Sequence, residues 1–268
     1  MIQVLSLGAG VQSTAVLLMS LEGELPPLDY VIFADTGWEP QAVYKHLAWL
    51  QTLTTIHVVS SGVNILERES TATFRARKNG GTHEALLPLF TITGRNKMGQ
   101  IRRQCTNRYK IIPIERFIRS TILGLAKGQR GPKEPTIRQW YGISLDEHQR
   151  MAKNPNKFTQ NYYPLVEKRM TRRHCIDWLE KRGVDAPRSA CITCPFKHNQ
   201  EWRRLRDGSP DEWQEAIEFD AAIRKCGGMR GDMFVHADRV PLDEACIDRD
   251  SPGQLMLWQD ECTGMCGV

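Results

Sequence analysis

No apolar run in this sequence approaches the roughly 20 consecutive residues that span a bilayer, so no membrane partner is expected. No secretory leader is expected either. Ile2 to Leu7 already reads as a strand, and a basic n-region, an apolar h-region and a cleavage site have no room before it. A cytoplasmic location is the expectation. There is no internal repeat and no low-complexity tract. Nor does one charge sign dominate, because 36 Lys and Arg against 31 Asp and Glu leave a net charge of +5. Basic residues do cluster locally, as Arg95, Lys97, Arg102, Arg103, Arg108 and Lys110, and again as Lys168, Arg169, Arg172 and Arg173. Such clusters suit phosphorylated partners, nucleic acids included, or simply a solvated face.

With 268 residues, 41% of them hydrophobic and 25% charged, the chain can bury a sizeable core. Apolar runs at Ile2–Leu7, Tyr30–Ala34 and Ile56–Val59 read as buried strands. Between them, Val11–Leu21 reads as a buried helix, and Val43, Leu47 and Leu50 recur at helical spacing behind Pro40. This alternation implies βαβ units and an α/β fold, a doubly wound parallel sheet of about five strands. Arg138–Ser144 reads as a further strand, with Asp146 and Glu147 opening a helix behind it. Thr171 can cap a helix that Gly183 ends, and Asp211–Lys225 is amphipathic. Gly94–Gly99 and Lys127–Pro135 read as loops, and the chain after Cys226 shows no clear pattern. A boundary near residue 165 would separate a nucleotide-binding domain, 1–165, from a C-terminal helical region, 166–268.

Ser6-Leu7-Gly8-Ala9-Gly10-Val11-Gln12-Ser13-Thr14 joins the first strand to the first helix. Glycines there let the backbone approach a phosphate, the helix N-terminus offers unsatisfied N–H groups, and Ser13 and Thr14 add hydroxyls. A Walker A lysine is missing, and Ser13 stands where a dinucleotide-binding turn has its third glycine. The segment instead resembles the PP-loop of the ATP-pyrophosphatase and phosphoadenosine-phosphosulfate (PAPS) reductase superfamily. Relative to the common Ser-Gly-Gly-x-Asp-Ser, Gly8, Ala9 and Gln12 depart from the pattern. Gly10-Val11-Gln12-Ser13 looks like the variant in PAPS reductases. Asp35-Thr36-Gly37 with Pro40 and Tyr44 resembles their second motif, and Tyr141-Gly142-Ile143-Ser144 with Asp146, Glu147 and Arg150 their later strand and arginine motif.

That resemblance implies an adenine nucleotide alpha hydrolase-like fold binding ATP or an adenylyl sulfate, with magnesium as a companion of ATP. Ser6, Gly8, Ala9, Gly10, Gln12, Ser13 and Thr14 would hold the nucleotide phosphates. Asp35, Thr36 and Gly37 would lie beside it, and Arg150 would offer a guanidinium fork to phosphate or sulfate.

Eight cysteines in a chain with no leader read as metal, cluster or redox residues rather than structural disulfides. In Cys191-Ile192-Thr193-Cys194-Pro195, two thiols can share one metal, and a following Pro is frequent in iron–sulfur ligand runs. Arg102-Arg103-Gln104-Cys105-Thr106, with Lys110 and Pro113, resembles a segment in the PP-loop component of DNA phosphorothioation systems. That likeness implies a [4Fe–4S] cluster on Cys105, Cys191 and Cys194. Cys175 is a candidate fourth ligand, as are Cys262 and Cys266; zinc with His174 or His198 is the competitor. Cys226 and Cys246 read as plain buried thiols. Asp260 to Cys266 faintly resembles the Glu-Cys-Gly tail of PAPS reductases, whose cysteine attacks substrate sulfur, so Cys262 and Cys266 are catalytic candidates.

Two enzyme readings follow from the resemblance. The first is ATP-dependent sulfur transfer to a nucleic acid, supplied by a sulfur-donor protein through the cluster. The second is reduction of an adenylyl sulfate by a thiolate. A third reading, a nucleotide-binding module whose metal only staples the fold, has no catalytic step.

Overall fold

The structure, a computed structural model, describes residues 1–63, 87–94, 96–224 and 231–249. Five strands, β1 (Ile2–Leu7), β2 (Tyr30–Asp35), β3 (Ile56–Ser60), β6 (Ile137–Tyr141) and β7 (Thr159–Tyr162), form an all-parallel sheet in the order β3-β2-β1-β6-β7. Helices cover both faces, as the doubly wound reading expects. On one side lie α1 (Val11–Leu21) and α2 (Gln41–Leu53), joined by α5 (Arg172–Glu180), and their apolar residues pack with Leu5, Leu7, Val31 and Phe33. On the other lies a continuous helical segment, 107–122, here α3. It is π-helical over Asn107–Ile111, α-helical over Ile112–Phe117 and π-helical again over Ile118–Ile122. Its Ile114 and Ile118 pack with Val4, Ile32 and Ile137.

The strand order reverses between β1 and β6. β1 and β2 run outward to one edge, and β6 and β7 to the other, so the loops leaving β1 and β6 diverge. In open α/β sheets such a switch point at the carboxyl ends of the strands is where ligands bind. It is occupied here by the loop Gly8–Gly10 and by Gly142–Ser144.

A second core stands beside the first. Strands β4 (Phe90–Thr93), β5 (Met98–Gln100) and β8 (Gly231–Phe234) make an antiparallel sheet in the order β5-β4-β8. Residues of that sheet, such as Met233, pack in one cluster with Trp202 and Leu205 of α6 (Asn199–Gly208) and with Ala216, Phe219 and Ile223 of α7 (Pro210–Ile223). The stretch expected to be a loop, Gly94–Gly99, is therefore partly strand: Gly99 lies in β5, where a Cβ would come within 2.9 Å of Thr91 Oγ1. Close strand packing, not turn formation, accounts for that glycine.

The division expected near residue 165 cuts across these contacts. A short helix, α4 (Pro164–Glu167), and α5 lie beyond it, yet Leu165 and Leu179 belong to the first core. Leu89 and Tyr109 lie before it and belong to the second. Among the described residues, no helix is long and apolar enough to cross a membrane.

Candidate functional site

Helix α1 begins at Gly10 with no side-chain cap and no acidic residue in its first turn, which leaves the positive end of its dipole open. The loop ahead of it is tightly wound. Ala9 takes a left-handed φ of 53° and is fully buried. The Gly8 and Gly10 amides both donate to Ser13 Oγ, each at 3.2 Å. Two backbone N–H groups converging on one oxygen is the geometry of an anion nest, closed here by a hydroxyl. Thr14 faces the other way. It is fully buried and its hydroxyl bonds His46 Nε2 of α2 at 2.9 Å. One residue along the helix from Ser13 points into the core, whereas Ser13 Oγ, which itself donates to Gly10 O at 3.3 Å, stands where a phosphate oxygen would meet the two loop amides.

Gln12, which stands where the common PP-loop has Asp, is fixed at both ends of its amide. Its Nε2 donates to Glu147 Oε2 at 3.1 Å, and its Oε1 accepts from Arg172 Nη1 at 2.8 Å. Glu147 also holds Arg150, whose Nη1 is 2.5 Å from Glu147 Oε1. Arg150 and Arg172 thus meet the loop through one chain of hydrogen bonds. The sequence pointed to Arg150; it offered Arg172 only as a member of a basic cluster. The helix expected behind Asp146 is a 3-10 segment, Leu145–Arg150, kinked at Glu147.

Two close approaches fix the loop. A Cβ on Gly142, just past β6, would lie 2.7 Å from Ser13 N and 2.9 Å from Ser13 Cα, so only glycine lets β6 abut the helix start. A Cβ on Gly10 would lie 3.1 Å from Ser189 Cβ and 3.3 Å from Ser189 N. Segment 187–189 therefore walls the loop, an arrangement that sequence reasoning missed because these residues carry no motif of their own. Among the described residues, Ser189 Oγ and Arg188 Nε and Nη2 are buried without hydrogen-bond partners, while Arg188 Nη1 pairs with Glu201.

The second motif ends β2. Asp35 Oδ1 accepts from Gly37 N at 2.8 Å and from the Tyr44 hydroxyl at 2.9 Å. Burial pushes the Tyr44 phenol up, Asp35 adding to the rise while the Glu39 amide pulls the other way, so it stays a donor. Thr36 donates to Glu39 Oε1 at 3.2 Å, and Lys110 Nζ lies 3.1 Å from the same oxygen. Cys191 Sγ is 3.7 Å from Thr36 Oγ1 and 3.9 Å from Glu39 Oε1. The C-x-x-C segment is tied here by its backbone as well, through Ile192 N to Trp38 O at 3.2 Å. A thiol of the pair thus stands at the carboxyl end of β2. Glu39 carries no sequence signature; only burial distinguishes it.

The expected metal centre is not assembled among the described residues: no three His, Cys, Asp or Glu form a group that could hold an ion. Cys105 and Cys191 border the same apolar cluster, and Cys194 follows one turn after Cys191. Cys175 does not join them. It is fully buried in the first core, on the face of α5 that packs with α1, and this removes it as a ligand candidate. His174 turns back to the start of α5, accepting from Thr171 N at 3.2 Å. Cys246, expected to be buried, is exposed. Cys226, Cys262 and Cys266 lie outside the described residues, and with them the expected catalytic tail.

Fold and site together define an open, doubly wound α/β protein with a tightly wound glycine loop and a helix N-terminus at its topological switch point. No family model matches the sequence, and no curated protein matches it. Among solved structures, the chain is similar to the phosphate complex of phosphoadenylyl-sulfate (PAPS) reductase from Candida auris. The identity is 12% and the TM-score 0.43, over 69% of this chain and 74% of that one.

Proposed function

We propose that the chain is an adenine-nucleotide enzyme of the PAPS reductase-like kind, using the loop Gly8–Thr14 to transfer sulfur to a nucleic acid at the expense of ATP. The observation that carries this reading is the loop itself: converging amides at an uncapped helix N-terminus, flanked by Arg150 and Arg172. Amides and guanidinium groups would hold and orient a phosphate chain. In the reaction, an acceptor oxygen attacks the α-phosphorus of ATP, pyrophosphate leaves, and a sulfur nucleophile then displaces AMP with that oxygen. The groups bordering the loop would stabilise the charge that builds on the phosphates. No step is routed through a cluster, because the described thiols do not form one.

A second reading, reduction of an adenylyl sulfate, draws support from the Cys191 thiol beside Thr36, at the nucleotide end of the sheet. One pair of assays separates the two. With ATP and nucleic acid, the first reading expects pyrophosphate release that depends on both. With an adenylyl sulfate and a dithiol, the second expects sulfite. Sulfite without any nucleic-acid-dependent pyrophosphate would replace the first reading by the second.

A further inference from the structure

Charge is distributed unevenly over the two faces of the main sheet. On one face α1 carries no charged residue, α2 carries Lys45 alone, and α5 sets Arg172 and Arg173 against Asp177 and Glu180. The other face is covered by α3 and the loop that follows it. Between Arg102 and Lys133 the sequence has nine Lys and Arg, and Glu115 is its one acidic residue. Three of the nine are engaged: Lys110 pairs with Glu39, Arg103 lies over Phe196, and Arg119 donates to Gln129 O. Arg108, Arg116, Lys127, Arg130 and Lys133 are exposed, and none of them pairs with a carboxylate among the described residues.

The backbone arranges these cations. Residues four apart drift by about 40° round an α-helix, since 3.6 residues complete a turn. The π-helical segments Asn107–Ile111 and Ile118–Ile122 hold more than four residues per turn and bring the line back. Arg108, Arg116 and Ser120 therefore keep one bearing, away from Ile114 and Ile118, which pack on the sheet. The loop behind α3 is held as firmly. Leu125 N donates to Arg119 O at 2.8 Å, and Ala126 N to Gln129 Oε1 at 2.9 Å. A Cβ on Gly131 would lie 2.5 Å from Phe158 Cδ1, so the loop is seated on that ring, with the Arg119 guanidinium 5.8 Å from the ring centre. Lys127, Arg130 and Lys133 are thus fixed just beyond the end of the helix. Helix α3 starts beside the carboxyl end of β2, where Lys110 meets Glu39, and its loop leads into the amino end of β6. The basic surface runs between those two edges of the sheet, roughly 20 Å for a helix of this length.

We propose that this surface docks the sugar–phosphate backbone of a nucleic acid duplex, without sequence preference. The proposal rests on the nucleic-acid reading above and gives that substrate a place and a form. A duplex carries one negative charge per ~1.7 Å of its axis, and an extended set of unpaired cations neutralises it with release of counterions. Arginine, present as Arg108, Arg116 and Arg130, holds phosphate oxygens with a fork of N–H groups. Single strands are held instead on aromatic platforms that stack bases. Among the described residues the one exposed large aromatic is Trp49, on α2 across the sheet. An anionic membrane is bound with apolar side chains inserted beside the cations, and no exposed large hydrophobic residue falls between Arg102 and Pro135. Lying along α3, a duplex passes the carboxyl edge of the sheet, where the glycine loop stands.

The test is fluorescence anisotropy of the full chain over a salt series, with a labelled DNA duplex of about 20 base pairs, an RNA duplex of equal length and the matching single strand. Arg116→Ala with Arg130→Ala, and separately Lys127→Ala with Lys133→Ala, remove charge from the surface. Lys45→Ala with Lys181→Ala removes the same charge elsewhere, and thermal melts confirm the fold of each. Each surface pair should weaken duplex binding about tenfold or more at low salt, and lower the slope of log affinity against log salt by about 1.8 for DNA. The control pair should stay within about twofold of wild type. A loss for the DNA duplex, the RNA duplex or both names the kind of duplex. Should one surface pair fail to fold, the other decides. Salt-sensitive duplex binding left unchanged by both surface pairs would overturn the proposal and leave the nucleic-acid reading standing. Tighter binding of the single strand than of either duplex, or equal displacement of the duplex by polyglutamate, would overturn it as well. No binding of any probe to folded wild type would overturn the proposal and the nucleic-acid reading together.

Discussion

Gly142 and Gly8 sit on either side of the same loop yet differ in what they tolerate. A methyl on Gly142 meets backbone at 2.7 Å, whereas one on Gly8 meets Ser13 Oγ at 3.6 Å and Ser189 Oγ at 3.7 Å, ordinary contact distances. Gly142→Ala should therefore cost about 1–3 kcal/mol in urea unfolding and weaken ATP binding, because the start of α1 must shift. Gly8→Ala should stay near wild type in stability. His46 gives a pH prediction. Burial holds its imidazole below the ordinary 6.5, with Asp185 pulling the other way. As pH falls the unfolded chain takes up the proton first, so stability present above 6.5 is lost progressively below it. Burial lowers His236 in the same direction. Melting temperature should fall between about pH 7 and about pH 5.5, and His46→Gln should make that fall shallower while His236 retains part of it.

Elements with strong periodicity were legible in the sequence, and elements defined by distant partners were not. Helix α1 spans Val11–Leu21 as expected, since an almost wholly apolar helix between two buried strands has one place to go. Thr171 caps α5 as expected, with its side chain accepting from His174 N. The β4–β5–β8 sheet was invisible: strands of three or four residues, rich in Gly and Thr, gain their stability from pairing across more than a hundred residues. The site divides likewise. Loop, second motif and Arg150 carry local patterns, while Ser189, Arg172 and Glu39 reach the site only through the fold. Distance also revises the basic segment before α3. Arg103 stacks over Phe196, 5.9 Å from its ring centre, whereas Arg102 and Arg108 are exposed. Under the nucleic-acid reading, Arg102→Ala with Arg108→Ala should lower the slope of log affinity against log salt by about 1.4–1.8, as two lost phosphate contacts release fewer counterions. Fluorescence anisotropy over a salt series measures it, and Arg103→Ala should change the slope less.

At the scale of the whole molecule, two cores meet where β2 ends. Trp38 leaves the main sheet and enters the second core against Phe219, with ring centres 4.7 Å apart, and its indole donates to Glu215 at 2.9 Å. The same turn receives the C-x-x-C segment at Thr36 and Trp38, and segment 187–189 just before it walls the glycine loop. Glycine loop, thiol and second core are thus joined through a few loop residues. That organisation depends on the loop being an anion site and not merely a turn. The direct measurement is a calorimetric titration of wild type and Gly10→Val with ATP, the mutant's fold checked by its melt. The account predicts saturable binding to wild type and a loss of about tenfold or more in Gly10→Val, because a valine side chain must displace Ser189 and the loop amides with it. Equal affinity in two folded proteins, or no affinity for ATP in wild type, would contradict it.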